Sequence, residues 1–513
     1  MEREPLVCEF RIEGLYGYRT IAMSANHSTT VLIAKNGSGK TTLLGALDAF
    51  LRCQFGRLSN IEFDRITCRL RGINHELELS ARDIERLLLV PENSEFLFFA
   101  RRYGIEPQAL LDFMENDFDV SRAAWHYDDD DEVFRKILAK HDYSARDAKK
   151  ACEKLVAALR GRVPEIDIIR DKVRAIMRGK EVLYLPTYRR IELSLAEGGV
   201  DQMPHRRRVS VRSKLGLSRR GFFNTDIQFG LGDISEKLRD LNNELLAISN
   251  QGYRQISAKI VNDLLDGTFD KGVSGHSELP EREALAVFFS RLKQGGRHFF
   301  GPHFDTVDIP DIDKIYSQGA TTYNSNKFLN YFLAQLNEVI KANQAIEGRV
   351  EAFVDRCNDY LSVRDVSTER SGYLSRSAAR RDLDEKHLQI DRLTLQVSVI
   401  SVAAKKVIPI DSLSSGEKQM ISLFARLYLY DGPKIVLIDE PELSLSIDWQ
   451  RRILLDVVRA PTCEQLVAIT HSPFVFDNEL DPFAKSLTLF SSPRVNSEIT
   501  AADLFDGEAS TDE

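Results

Sequence analysis

TTVLIAKNGSGKTTLL, residues 29–44, reads as a short β-branched strand, a glycine-rich turn and the start of a helix. Within it Asn36, Gly37, Ser38, Gly39, Lys40, Thr41 and Thr42 satisfy the phosphate-binding pattern G-x-x-x-x-G-K-[ST] at every position but the first, where Ala34 stands. Each residue type has a chemical reason. Gly37 and Gly39 leave room for backbone N–H groups to turn inward around a polyphosphate. The helix begun near Lys40 aims the positive end of its dipole at the same phosphates. Lys40 adds a full charge, and Thr41 offers a hydroxyl to Mg²⁺. Ala34 costs little, because the cradle is built mainly from residues 36–41.

Working outward, a chain of 513 residues suits two or three domains. No run of about eighteen apolar residues occurs, so no membrane span is expected. The opening MEREPLVCEF runs straight into a strand and is not a secretory leader. Six cysteines are scattered without a CxxC pair, which points away from zinc and disulfides and toward a reducing cytoplasm. A net charge of −8 excludes whole-surface binding to nucleic acid, so any DNA contact must be local.

Residues 7–13, 19–23 and 29–33 read as strands, and 61–70 and 75–79 alternate like half-exposed antiparallel ones. The first domain, 1–80, is the N-terminal lobe of a nucleotide-binding head. Residues 81–178 turn helical and charged and form an insertion, with Asp128 to Asp131 read as a solvated acidic run. EVLYLPTY, 181–188, returns to strand character, so 179–195 rejoins the head and delivers Arg189 and Arg190. Residues 196–385 make a second insertion. It opens with Arg206, Arg207, Arg208, Arg212, Lys214, Arg219 and Arg220, seven cations in fifteen positions. They can neutralise phosphates of DNA or RNA, grip an acidic partner, or simply keep a linker solvated. Ile234, Leu238, Leu241, Leu245 and Ile248 then form the seam of a short coiled coil that pairs with a helix over 326–361.

Residues 386–513 form the C-terminal lobe. After strands at 393–402 and 407–410 comes DSLSSGEKQ, a helix, and the apolar strand KIVLIDE with Asp439 and Glu440 at its tip. Carboxylates there can hold Mg²⁺ through water, for Asp439, and deprotonate an attacking water, for Glu440. A strand at 465–470 leads to His471.

In this order the chain resembles the ABC-type ATPases, the SMC/RecF/OLD-like branch among them. Ser414 matches the serine of their signature loop, while Ser415 stands for a glycine and Glu417 for a glutamine, beside Gly416. His471 matches their switch histidine. Ser444 and Ser446 stand where many relatives carry histidines. The resemblance implies an α/β P-loop NTPase of ABC type: a mixed-sheet head split by a mainly helical insertion with a short coiled-coil arm. It implies ATP and Mg²⁺, and a homodimer in which Ser414 to Glu417 of one chain close on nucleotide held by Lys40, Thr41 and Asp439 of the other. GLYGY, YLPTYRR, LSSGEKQ and IDEPELSL further resemble the PtuA-like ATPases of Septu and retron-associated anti-phage systems. That likeness implies a separate HNH-type nuclease subunit, in some systems with a reverse transcriptase and its RNA–DNA product. The alternative is a RecF/SMC-like repair ATPase on DNA ends or gaps. A self-contained nuclease is disfavoured, since only about forty residues follow His471, fewer than a domain needs.

Overall fold

The computed structural model describes residues 2–35, 37–92, 94–116, 118, 132–186, 231–266, 279–300, 310–317, 327–362, 385–409 and 412–491. Asn36, the acidic run Asp128 to Asp131, Arg189 and Arg190, and the seven cations from Arg206 to Arg220 lie outside the described residues. The elements, in chain order, begin with β1 (Val7–Leu15), β2 (Arg19–Ser24), β3 (Thr29–Ile33), α1 (Lys40–Leu51), β4 (Arg65–Leu70) and β5 (Leu77–Ser80). The helical insertion follows as α2 (Ala81–Leu88), α3 (Ser94–Tyr103), α4 (Pro107–Asn116), α5 (Glu132–Ala139), α6 (Ala145–Leu159) and α7 (Pro164–Ile176). Then come β6 (Glu181–Leu185), α8 (Leu231–Leu265), α9 (Arg282–Phe300), α10 (Ile312–Ser317) and α11 (Lys327–Leu361). The last are β7 (Lys386–Ile390), β8 (Val397–Ser401), β9 (Lys406–Ile408), α12 (Ser415–Tyr428), β10 (Lys434–Asp439), α13 (Ile447–Arg459), β11 (Cys463–Thr470), β12 (Ala484–Ser486) and β13 (Thr488–Ser491).

The fold is the expected α/β P-loop architecture. Its mixed strand content resolves into separate sheets. One is parallel throughout, in the order β12-β3-β11-β10-β6; a second is antiparallel, in the order β13-β2-β1-β4-β5. Strand β10 is buried at all six positions, as a strand with neighbours on both edges and cover on both faces must be. Chemistry-bearing loops leave the C-terminal ends of β3, β10 and β11. Helix α1 packs between the sheets, with Phe50 edge-on to Phe10 of β1 and to Phe55.

Two devices join the sheets. At Leu487 the chain crosses from β12 in the parallel sheet to β13 in the antiparallel one, and the Leu487 N–H donates to Ile33 O at 3.0 Å. Residues 484–491 therefore form two strands in two different sheets. Gln465, 1% exposed, is the second device. Its Oε1 accepts from the N–H groups of Leu6 and Val7 at 2.9 and 2.8 Å, and its Nε2 donates to Val7 O at 3.0 Å.

The chain divides into two compact units: residues 1–228, 432–459 and 463–513 in one, and 229–431 with 460–462 in the other. The helical insertion α2–α7 thus groups with the parallel sheet. The signature segment groups with the long helices, apart from the lobe that carries β10 and β11. The reason is apolar: Phe424 of α12 packs against Tyr360 of α11 with ring centres 5.3 Å apart, and β7-β8-β9 form a sheet within the same unit. In that second unit α8 and α11 run antiparallel, with Ser249 beside Asn343, Lys259 beside Gln335 and Asp263 beside Tyr331. The seam keeps Leu238, Leu241 and Leu245 but then takes Ser249, Gly252 and Ile256, leaving Ile248 half-buried. Steps of 3-4-4 repeat every eleven residues, which a nearly straight helix pair accommodates better than a strict heptad. Among the described residues no helix is long and apolar enough to cross a membrane. All six cysteines are free thiols. Burial pushes the Cys463 thiol up to about 12 and raises Cys68 and Cys357 as well, so these are structural.

Replacing Gln465 by Leu leaves two buried N–H groups and one carbonyl without their partner. Each such group costs about 1–3 kcal/mol. Gln465→Leu is expected to lower unfolding stability by about 3 kcal/mol in a denaturant titration, while Gln465→Glu retains part of the link.

Candidate functional site

Strand β3 ends at Ile33, and Ala34 continues its ladder by donating to Thr470 O at 3.3 Å. Ala34 is buried in the head core, so its methyl group is packing. The loop then turns through two left-handed glycines, Gly37 at φ 76° and Gly39 at φ 88°. A Cβ on Gly39 would stand 2.4 Å from Ile21 Cδ1, whereas one on Gly37 would enter open space. Gly39 is thus required for packing and conformation, Gly37 for conformation alone. Gly39 is also the N-cap of α1, which starts at Lys40 with no side-chain cap. Its first N–H groups are directed at the loop.

Lys40 is 5% exposed, and its Nζ pairs with Glu440 Oε1 at 3.1 Å. Thr41 Oγ1 donates to Asp439 Oδ2 at 2.5 Å across 398 residues of sequence. Ser38 Oγ is buried without a hydrogen-bond partner, and Thr42 is half-buried on the first turn of α1. Gly37 opens to free space, Ser38 presents an unused hydroxyl, and Lys40, Thr41 and Asp439 converge. That donor set fits a magnesium-bound triphosphate.

Glu440 follows β10 with a left-handed backbone, φ 51°, held by its N–H donating to Ile469 O at 2.9 Å. A non-glycine residue in that region is costly, and such residues gather at functional sites. The side chain stays partly exposed beside Lys40, with Oε1 3.9 Å from His471 Nδ1. The half-exposed His471 is held by a residue the sequence reading passed over, Glu442. Glu442 is 6% exposed, and its Oε1 lies 2.9 Å from His471 Nδ1 and accepts the His471 N–H at 3.2 Å. Its Oε2 accepts from Thr470 Oγ1 at 2.8 Å. Gln450 of α13 closes the frame: its amide donates to Glu442 O and Leu445 O, and it accepts from Ser472 Oγ at 3.0 Å. The available signal was spacing: in DEPE, Glu442 follows Glu440 by two, and a second buried carboxylate needs donors.

Arg19 is another residue passed over. Its Nη1 donates to Gly37 O at 2.9 Å, and its guanidinium lies 4.6 Å from the Tyr18 ring centre and 5.7 Å from that of Tyr16. It ties the β1–β2 turn to the phosphate loop. Arg65, Arg69 and Arg71 of the same sheet region pair with carboxylates instead.

The signature residues are in the other unit. Ser414 is the N-cap of α12, its Oγ accepting from the Glu417 N–H at 3.3 Å while Glu417 Oε2 accepts from the Ser414 N–H at 2.6 Å. Glu417 also pairs with Lys386 Nζ at 2.8 Å. The glutamate in the glutamine's place is therefore committed to a capping box and an ion pair. Ser414 is exposed, Ser415 half-buried and Gly416 buried at the helix start.

Residues 303–477 match the family described as "AAA domain, putative AbiEii toxin, Type IV TA system". Among solved structures the chain is similar to an Smc head bound to the C-winged helix domain of ScpA, at 15% identity and a TM-score of 0.19. That match covers 31% of this chain and 46% of the other, so the chain spans less than half of it. It is also similar to the Smc head domain with a coiled coil and joint from Pyrococcus yayanosii, at 15% identity and a TM-score of 0.27, covering 92% of this chain and 93% of that one. No curated protein matches. The matched ATPase domain lies C-terminal to the phosphate loop, and in the α/β P-loop fold Asp439 and Glu440 of that domain meet Lys40 and Thr41 of the loop.

Glu442→Ala removes the acceptor of the Thr470 hydroxyl and the His471 N–H together. A loss of about 3 kcal/mol is expected from thermal unfolding, with a larger drop in ATP turnover than Ser472→Ala produces. Equal turnover in the two variants would show that the Glu442 clamp is merely structural.

Proposed function

We propose that the chain is a dimeric ATP switch that controls a separate nuclease effector in bacterial anti-phage defence. The observation that carries the ATPase half is the position of Glu440, held by strained backbone at the end of β10 beside Lys40. Lys40, Thr41 and Asp439 would bind the triphosphate and its Mg²⁺. The metal supplies charge neutralisation of the phosphate oxygens. The Lys40–Glu440 pair keeps a cation and a base facing one space. Phosphate competes for Lys40 and frees Glu440 to accept a proton from water. Glu442 positions His471 against the same space. Ser414, Ser415 and Gly416 of a second copy would supply hydroxyl and N–H donors at the exposed start of α12. Glu417 fixes that start from within its own chain. Nucleotide shared between two copies couples hydrolysis to dimer opening, a population shift usable as a signal.

The defence half rests on the resemblance of GLYGY, YLPTYRR, LSSGEKQ and IDEPELSL to PtuA-like ATPases. An HNH-type nuclease is the proposed partner, with a reverse transcriptase and its RNA–DNA product in a retron setting. The matched family's description names a putative AbiEii toxin of a Type IV TA system, which supports a chain that works within a larger system. Arg206, Arg207, Arg208, Arg212, Lys214, Arg219 and Arg220 are the proposed nucleic-acid or partner contacts.

Lys40→Ala is expected to weaken ATP binding by roughly a hundredfold or more, since a charge-assisted contact to phosphate is lost. Glu440→Gln is expected to keep ATP binding, slow turnover by roughly 10²–10⁴-fold, and shift the chain to dimer in light scattering with ATP. Normal turnover in Glu440→Gln would remove Glu440 from the role of base. Co-purification from the native operon should recover a nuclease. DNA-stimulated turnover by the chain alone, with no nuclease recovered, would favour the repair ATPase instead.

A further inference from the structure

A cavity of about 890 Å³ opens at the end of α1 remote from the phosphate loop, between α1, β6 and helices α4, α6 and α7 of the insertion. Its size is that of small-molecule sites, which run to roughly 300–1,000 Å³. Part of its wall is apolar: Leu51, Met114, Phe118, Leu159 and Val182. The rest is cationic, with Arg52, Arg160, Arg170, Arg174, Arg178 and Lys180.

Most of those cations are occupied. Helix C-termini favour positive charge, and Arg52 and Arg160 cap α1 and α6. Arg52 holds Asp48 and the Val182 carbonyl, each at 2.6 Å. Arg160 pairs with Asp171, Lys180 with Glu464, and Arg170 with Glu115. Both carboxylates among the described wall residues are committed, Glu115 to Arg170 and Glu181 to Lys434. Arg174 and Arg178 are left. Neither has a hydrogen-bonded or ion-paired carboxylate among the described residues, and both line the cavity. Asn116, 9% exposed on the same wall, has a buried Oδ1 with no hydrogen-bond partner.

We propose that this cavity is a second ligand site, for a phosphorylated ring-bearing small molecule of nucleotide size. Arg174 and Arg178 take the phosphate, for which the planar guanidinium is suited. Phe118, Met114 and Leu159 cover the ring. Helix α1 then links the two sites, with Lys40 and Thr41 on its first turn and Arg52 as its C-cap, about 17 Å apart at 1.5 Å per residue. The cavity shares no side chain with the phosphate loop, so the two sites can be lost separately.

The test uses the full-length Lys40→Ala protein, in which the first site is silenced, titrated calorimetrically with ADP and with pyrophosphate. One ADP per chain is expected, bound more tightly than pyrophosphate because only ADP reaches the apolar wall. Adding Arg174→Ala and Arg178→Ala should weaken ADP roughly tenfold or more, with the melting temperature unchanged. Arg178→Glu alone, at an exposed position, should do the same. Absence of heat with both probes, or ADP binding indifferent to Arg174 and Arg178, would overturn the proposal. Equal affinity for ADP and pyrophosphate would overturn the ring-binding part.

Discussion

Strand β11 hydrogen-bonds to β3 on one edge and to β10 on the other, and the contacts between the phosphate loop and the Asp439–Glu440 tip depend on that placement. Leu466 to Thr470 pair with residues 29–33, while residues 465–469 pair with 435–439. Residues nearly four hundred positions apart are thereby delivered to one end of one sheet. The Thr41–Asp439 hydrogen bond and the Lys40–Glu440 ion pair follow. Burial of β10 on both faces fixes the register, because a shift of one residue would turn Asp439 and Ile438 to the wrong sides.

What surrounds this placement is a set of buried polar groups, each satisfied by a neighbour distant in sequence. Gln465 closes the joint between the two sheets, and Glu442 closes the loop after β11 with three donors from Thr470 and His471. Asp48, fully buried on α1, is matched by Arg52 and Arg57. Buried charges of this kind persist only when paired, so each also specifies which segments must meet. Arg52 belongs to two systems at once. It neutralises Asp48 inside the head and borders the cavity against the helical insertion, which makes α1 the natural link between them.

Much of this was legible from local pattern. Gly37, Gly39, Lys40 and Thr41 announce a phosphate loop because the chemistry demands those types at that spacing. KIVLIDE announces a buried strand with carboxylates at its tip. The pairing of α8 with α11 followed from apolar periodicity. The details of that seam did not: Ser249 and Gly252 enter it because Asn343 and Val339 face them, and neither is apolar enough to mark a seam in sequence. Glu417 looked like a ligand-facing variant of a signature glutamine, yet its carboxylate caps α12 and pairs with Lys386. The grouping of residues 386–431 with the long helices, rather than with β10 and β11, came from the packing of Phe424 on Tyr360.

The sequence by itself determined the class of chemistry, since backbone freedom at glycine, the charge of Lys40 and the carboxylates of Asp439 and Glu440 are local properties. It determined as well that a strand precedes each of these groups. Only the tertiary structure decided which residues hold them in place. Glu442, Gln450, Arg19 and Gln465 act through partners up to 459 residues away. A side chain's hydrogen-bonding capacity is written in its type, but its partner is set by sheet order and register, and no local pattern carries that information.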